Sequence, residues 1–321
     1  MSIKILFLLL SINVTAWCQV IDQTAVYRQL GGDRYFRVHY ENDYFSKKDL
    51  YYTQGINLEL VHPTLRKNPL TKLLVHRDRK EIRYGISVEH LGYTPSSITH
   101  TEILQDDRPF AACLFLKTFS IVNDSTRKMR VITAISTGVI GPAAGGEEMQ
   151  TTIHRWVHGT PPVGWRNQIQ NDVILNYQLD FERSLFSHKD NVLLTGKMSA
   201  RLGTTVDKVC GGVSVLCGWF DNPFMNFSKQ KRKFQIFIYT EPQLQVVGYD
   251  ATLQGGLLNR SSPYIIVSDK INRIVFQNNS GLVMKIGRFY TEYFRTFITK
   301  EFRTGNHHQW GGIRVGCNLH D

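Results

Sequence analysis

The sequence predicts an all-β fold: a twelve-stranded antiparallel transmembrane β-barrel of the outer membrane, with a short helix in one extracellular loop. Three observations predict it. Segments of alternating apolar and polar residues recur along most of the 321-residue chain. Many of them approach the ~9–11 residues that a tilted membrane strand needs. A short apolar N-terminal segment reads as an export signal. Strict alternation means that one face meets an apolar medium and the other meets water or a polar interior. Alternation alone also fits a soluble sandwich. Signal, strand number, strand length and polar residues suited to a lumen favour the barrel.

The signal is expected over residues 1–18, with Lys4, an apolar core through Leu10, and Ala16 and Cys18 as the small residues before a cut at Gln19. A lipidated Cys18 is the alternative, and Trp17 beside it fits that poorly. The rest, 19–321, is expected to be one barrel domain, since no repeat, linker or low-complexity tract divides the chain. No apolar run approaches the ~20 residues of a spanning helix.

After a polar leader, residues 35–42 (YFRVHYEN) place Phe36, Val38 and Tyr40 on one face and Arg37, His39 and Glu41 on the other. Residues 52–61 and 81–89 repeat the pattern. Further strands are expected at 109–119, 128–140, 172–184, 192–202, 207–218, 234–247, 271–278, 282–294 and 308–319. Val173, Leu175, Tyr177, Leu179 and Phe181 form the clearest apolar stripe, opposed by Asn176, Gln178, Asp180 and Glu182. Aromatic pairs at strand ends (Tyr51 and Tyr52, Trp219 and Phe220, Phe289 and Tyr290, Tyr293 and Phe294) suit interfacial girdles.

Lys and Arg total 38 against 27 Asp and Glu, a net charge of +11. That excess favours anionic partners. The basic runs at Lys47 and Lys48, at 77–80 and at 229–233 lie in expected turns, where they are solvated or meet phosphorylated lipid head groups. No nucleic-acid motif accompanies the charge, so nucleic acid is not an expected partner, and no protein partner is required. Cys113, Cys210, Cys217 and Cys317 form no CxxC; they read as small apolar wall residues, with pairing in an oxidising compartment as the alternative.

Residues 141–171 are the longest stretch that does not alternate. Gly145 and Gly146 break the strand, and Gly159, Pro161 and Pro162 end a helical segment. Between them Met149, Ile153, Trp156 and Val157 recur at helical spacing and predict an apolar helix face laid against the barrel wall. Gln150 and His154 share a face. A histidine with a pKa near ~6.5 can act as a general base that activates water. His154 and His158, at i and i+4, could instead bind zinc, but Arg155 stands where the zinc-protease pattern has glutamate. Asn42 and Asp43 end the first strand and Thr53 opens the second, which puts all three at one rim. That oxygen-rich set suits calcium; a turn is the plainer reading of the pair Asn42-Asp43. There is no GxSxG elbow, Walker loop or EF-hand loop.

Taken in order, Asn42-Asp43, Tyr52-Thr53-Gln54-Gly55, Asp107-Arg108 with Phe110, and Gly141-Pro142 with Gly145-Gly146 lead to Glu148, Gln150 and His154-Arg155. Trp165, Gln168, Asn171, Thr252-Leu253-Gln254-Gly255 and Glu301-Phe302-Arg303-Thr304-Gly305 complete the set. The ordered set resembles the outer-membrane lipid A deacylase family, which removes the 3′-linked acyloxyacyl group of lipid A. The resemblance implies a twelve-stranded barrel in the outer membrane and an active site between the barrel wall and a loop helix. It implies lipopolysaccharide as substrate and calcium as cofactor, with His154 as the base, Asn42 and Asp43 as the calcium and active-site pair, and Thr53 as an active-site hydroxyl. A glutamate that the family can place six residues after the histidine is Thr160 here, and a Lys-Arg pair falls near residues 98–100, which carry neither. Glu147, Glu148 and Gln150 are candidates for support. The alternatives are a non-catalytic barrel, pore or adhesin, and a serine-dependent outer-membrane phospholipase.

Overall fold

The computed structural model describes residues 22–46, 50–76, 80–226 and 232–319. The expected export signal and the basic residues Lys47, Lys48, Arg77, Arg79 and 229–231 lie outside them. Among the described residues twelve antiparallel strands close into one barrel: β1 (Tyr35–Asn42), β2 (Tyr52–Val61), β3 (Glu81–Tyr93), β4 (Ala111–Asp124), β5 (Met129–Ile140), β6 (Asp172–His188), β7 (Val192–Gly203), β8 (Val206–Trp219), β9 (Phe234–Asp250), β10 (Ile274–Ile286), β11 (Phe289–Ile298) and β12 (His308–Asn318). Each strand pairs with its chain neighbours, and β1 pairs with β12 from Tyr35 opposite Asn318 to Asn42 opposite Gly311.

Which face is buried separates barrel from sandwich. On β6, Val173 and Leu175 point outward and are 55% and 57% exposed, whereas Gln178, Asp180 and Glu182 point inward and are buried. The apolar stripe is outside and the charges are inside. That arrangement is unstable in water and stable in lipid, where a polar lumen is shielded by a closed wall.

The lumen is filled by the chain itself. Residues 22–30, which read in the sequence as a polar leader, enter the barrel with a 3₁₀ turn at Val26–Arg28. Arg28 and Arg314 both donate to the Glu292 carboxylate, at 3.0 and 2.9 Å, and the Tyr290 hydroxyl adds a bond of 2.6 Å. Tyr239 bonds the same carboxylate and stacks on Tyr27 at 3.9 Å between ring centres. Arg37 bridges Glu59 at 2.7 Å and the Arg28 carbonyl at 2.7 Å. Lys197 pairs with Asp22, and the Val26 N–H donates to Glu182 at 2.9 Å. Buried charges are tolerated only when paired and hydrogen-bonded. The inserted segment supplies those partners and so plugs the lumen among the described residues.

Two expectations are corrected. The residues read as a turn near 279–281 lie inside β10, and the true turn is at Gly287, with φ +57°, and Arg288. Asn279 faces the lumen, bonding Glu241 at 3.2 Å and Thr296 at 2.9 Å, so its polarity marks a wet interior and not a loop. The aromatic pairs are split by the pleat. Trp219, Phe289 and Tyr293 point to lipid, whereas Phe220, Tyr290 and Phe294 are buried in the lumen, and Tyr51 and Tyr52 are buried too. The four cysteines are unpaired, with Cys113 and Cys210 buried on the walls.

The extracellular mouth is closed by the loops at 94–110, 251–273 and 299–307. Arg108 pairs with Glu301, donates to the Thr252 hydroxyl at 2.7 Å, and lies 4.3 Å from the Tyr93 ring centre. Tyr51, Leu253, Ile266, Ile271 and Phe302 pack above it. Burial pushes the Glu301 carboxyl up to about 7; Arg108 pulls against that, Asp250 adds to it and Lys208 opposes it. The folded value lies above the ordinary 4.5, so the stabilising contribution is complete below the ordinary value and is lost as pH rises through about 7. Hydrogen exchange in residues 299–307, corrected for intrinsic rates, is therefore expected to be slower at acidic than at alkaline pH. Glu301→Gln should flatten the difference, and a pH-independent wild type would refute it.

Candidate active site

β1 ends on Asn42 at the extracellular rim, and the chain continues as a 3₁₀ turn, Asp43–Ser46. The Asn42 side-chain carbonyl accepts the Tyr44 N–H at 2.7 Å, and its amide donates to the Thr53 carbonyl at 2.5 Å. Asp43 is buried, with one carboxylate oxygen accepting the Leu50 N–H at 2.8 Å. The ladder between β2 and β3 slips between Tyr52 and Gln54. Such a bulge re-aims a side chain, and the Thr53 hydroxyl meets that of Thr94 at 2.7 Å. The structure thus gathers Asn42, Asp43 and Thr53 at one rim, as expected.

Strand parity then shows which side of the wall they serve. Phe36, Val38, Tyr40 and Asn42 share the outward face of β1. Gln54 shares the outward face of β2 with Ile56, Leu58 and Leu60, and pairs with Gly92, which pairs with Ala112. His90 is outward on β3. Yet Gln54 and His90 are buried. The loop at 141–171 covers this patch of outer wall.

That loop leaves β5 at Gly141, with φ +105°, where a Cβ would stand 2.6 Å from the Asn171 nitrogen. Gly145, with φ +72°, caps α1 (Gly146–Trp156). Gly146 rests on the wall, since a Cβ there would lie 2.5 Å from that of Ala112 and 2.7 Å from the Trp165 ring. Trp165, Phe110, Ile98, Ala112 and Ala144 form the apolar joint, and the Trp165 N–H donates to Gln150 at 2.6 Å. His90 Nε2 lies 3.1 Å from the Ala144 carbonyl. Gly146, Gln150 and His154 stand at i, i+4 and i+8, on one face. The first two are buried against the wall and His154, further along, is half-buried.

His154 Nδ1 lies 2.5 Å from the Thr160 carbonyl oxygen. A carbonyl only accepts, so Nδ1 carries the proton and Nε2 keeps the free lone pair. Position 160 therefore contributes its backbone, where the resemblance points to an acidic side chain. Glu147 and Glu148 are exposed, and Glu148 projects from the side of α1 opposite Gln150, so neither joins the site. Of the apolar stripe expected to lie on the wall, Met149 and Ile153 are half-buried, whereas Trp156 at the end of α1 is 76% exposed and Val157 is exposed beside it. In a membrane protein those two side chains can meet lipid at little cost, while Gly146 and Gln150 take the wall. His158, with φ +54°, lies beyond the end of α1.

The sequence profile described as "Outer membrane protein LpxR" matches residues 5–319. The chain belongs to the LpxR family. This is the family of outer-membrane lipid A 3′-O-deacylases that the ordered motifs resemble, and the bacterial outer membrane is its location. Among solved structures the LpxR-family fold is shared with LpxR from Salmonella typhimurium, at a TM-score of 0.73 and 20% identity over 89% of this chain and 100% of that one. The β-domain of the Bordetella autotransporter BrkA has a TM-score of 0.45 at 8% identity, over 89% of this chain and 98% of that one. The translocator domain of the autotransporter NalP from Neisseria meningitidis also has 0.45 at 8%, over 90% and 89%. A comparison with curated protein sequences gives no match.

Within this LpxR-family chain the motifs divide between two tasks. Arg108, Thr252 and Glu301 close the mouth, whereas Asn42, Thr53, Gln54, Gln150 and His154 belong to the outer wall and its covering helix. His90 and Thr94 were not singled out in the sequence, and Gln54 appeared there only as part of the Tyr52–Gly55 motif, with no role given. For Gln54 and His90 a signal existed: each is a polar residue at the lipid-facing parity of an otherwise apolar stripe. Among the described residues no three His, Cys, Asp or Glu side chains gather as a metal site. Calcium, however, also takes neutral oxygens. Asp43 offers a carboxylate, Thr53 a hydroxyl, and Gln54 a buried amide with neither end partnered among the described residues. The orphaned Gln54 amide oxygen is a donor of the kind a hard cation takes.

Proposed function

We propose that this protein hydrolyses the 3′-linked acyloxyacyl ester of lipid A in the outer leaflet, with His154 as general base and calcium as cofactor. The observation that carries the reading is the polar patch of Asn42, Thr53 and Gln54 on the lipid-facing side of the wall, covered by the helix that bears His154. A polar group in that position is unfavourable unless it serves a bound partner.

His154 Nε2 takes a proton from a water, and the water oxygen attacks the ester carbonyl carbon. The Thr160 carbonyl holds the ring in the tautomer this needs and stabilises the cation that forms. Asp43, Thr53 and Gln54 would hold calcium, which when bound supplies Lewis-acid polarisation of the ester carbonyl. Asn42, fixed by its bond to Thr53, positions the rim. As His154 returns its proton to the leaving alkoxide, the acyloxyacyl chain departs as an acid.

Purified protein in detergent micelles with lipid A is expected to lower the lipid A mass by one acyloxyacyl group in calcium. A calcium chelator should stop the reaction, and restored calcium should recover it. An unchanged lipid A mass with calcium present, or turnover indifferent to chelation, would sink the reading.

A further inference from the structure

Arg295 interrupts the outward stripe of its strand. β11 alternates Phe289, Thr291 and Tyr293 outward, and Arg295 comes next at the same parity, exposed on the lipid side of the wall. A cation on that face is disfavoured in the hydrocarbon layer and tolerated only near the head groups. The register ties it to the site. Asn42 pairs with Gly311, and Gly311 pairs with Arg295. Two strand spacings, roughly 10 Å, separate Asn42 from Arg295 along the wall. Gly311 puts no side chain between them. A Cβ there would lie 2.8 Å from that of Phe45, which occupies the gap.

The guanidinium is held in place. Arg295 Nη2 donates to the Phe45 carbonyl at 3.0 Å, and Nε donates to the Tyr293 hydroxyl at 3.1 Å. The side chain thus reaches the turn that carries Asp43. A guanidinium has five N–H donors, so the two bonds leave a pre-oriented edge with charge to spare. Among the described residues no carboxylate forms an ion pair with it. A fixed, unneutralised arginine at head-group depth is suited to bidentate recognition of phosphate.

We propose that Arg295 is the phosphate-binding residue of this site. It holds a phosphate group of the lipid whose ester lies under α1, and it makes the enzyme selective for phosphorylated over dephosphorylated lipid. The proposal rests on the ester-hydrolase reading above, and its test has an arm that does not.

The experiment compares wild type, Arg295→Gln and Arg295→Lys on bis-phosphorylated and on dephosphorylated lipid A in micelles of one detergent. With the phosphorylated lipid, Arg295→Gln is expected to raise KM by about tenfold with kcat little changed. Arg295→Lys should recover part of the loss, and KM for the dephosphorylated lipid should be the same in all three. The alternative is that Arg295 only steadies the turn at Phe45 and hence Asp43. It would then lower kcat alike on both lipids, and that outcome overturns the proposal.

The second arm measures binding by native mass spectrometry, with His154→Ala present in every protein so that turnover plays no part. Weaker binding of the phosphorylated lipid in Arg295→Gln supports the proposal even if no ester hydrolysis is found in any protein. Equal binding of both lipids with and without Arg295 overturns it. Inorganic phosphate at the lipid's concentration should not displace the lipid. Displacement would assign the contact to a soluble anion and overturn the lipid assignment.

Discussion

His154→Ala is expected to slow lipid A deacylation by about 10²–10⁴-fold, the range that a positioned general base contributes. The barrel should fold normally, because His154 is half-buried on a covering helix and bonds only within its own loop. Heat-dependent gel migration would show folded protein, and lipid A mass would show the loss of turnover. Thr160→Ala is expected to keep activity, since the contact to Nδ1 is through the carbonyl. Gly159 should be less tolerant: a Cβ there would stand 3.2 Å from His154 Nδ1 and crowd the ring. Wild-type activity in His154→Ala would remove the base from the mechanism. Loss of activity in Thr160→Ala would mean that the side chain matters after all.

Glu292→Ala is expected to destabilise the barrel by about 3–5 kcal/mol, the usual result of removing one partner from a buried ion pair. The residue is 0% exposed and takes bonds from Arg28, Arg314, Tyr239 and Tyr290. Without it two guanidinium groups remain buried with a single charge partner lost to both. Arg28 belongs to the inserted segment, so the loss should also loosen the plug. Two readouts separate these effects. The urea midpoint for unfolding from lipid vesicles should fall, and planar bilayers should record conductance that the wild type lacks. Glu292→Gln keeps the shape and loses the charge, so its midpoint should lie between the other two. An unchanged midpoint in Glu292→Ala would show that water reaches the cluster freely.

The strand count and most boundaries were legible because the pleat has a period of two and lipid rewards it at every step. Legibility failed where lumen and loop look alike. Asn279, Ser280 and Gly281 are polar or small enough to read as a turn, but they lie in mid-strand, opposite residues of the neighbouring strands β9 and β11. The leader at 22–30 failed because its ion-pair partners, Lys197 and Glu292, lie far along the chain. At the site, side-chain chemistry drew attention to Asn42, Asp43, Thr53 and His154. Thr160 misled because a sequence displays side chains, and here the useful atom is in the backbone. The apolar helix stripe was legible only in part: Met149 and Ile153 are half-buried, whereas Trp156 and Val157 at the end of α1 are exposed, which an apolar surrounding tolerates.

The filled lumen has a consequence for how such a catalyst would be measured. Because the patch lies on the outer wall and residues 22–30 fill the lumen, a lipid comes under α1 by sliding sideways within its own leaflet. Encounter is then two-dimensional, and the governing quantity is molecules per unit area, not per unit volume. Adding inert lipid should slow turnover although the bulk concentration of substrate is unchanged. Enlarging the sample at fixed surface composition should leave the rate per enzyme as it was.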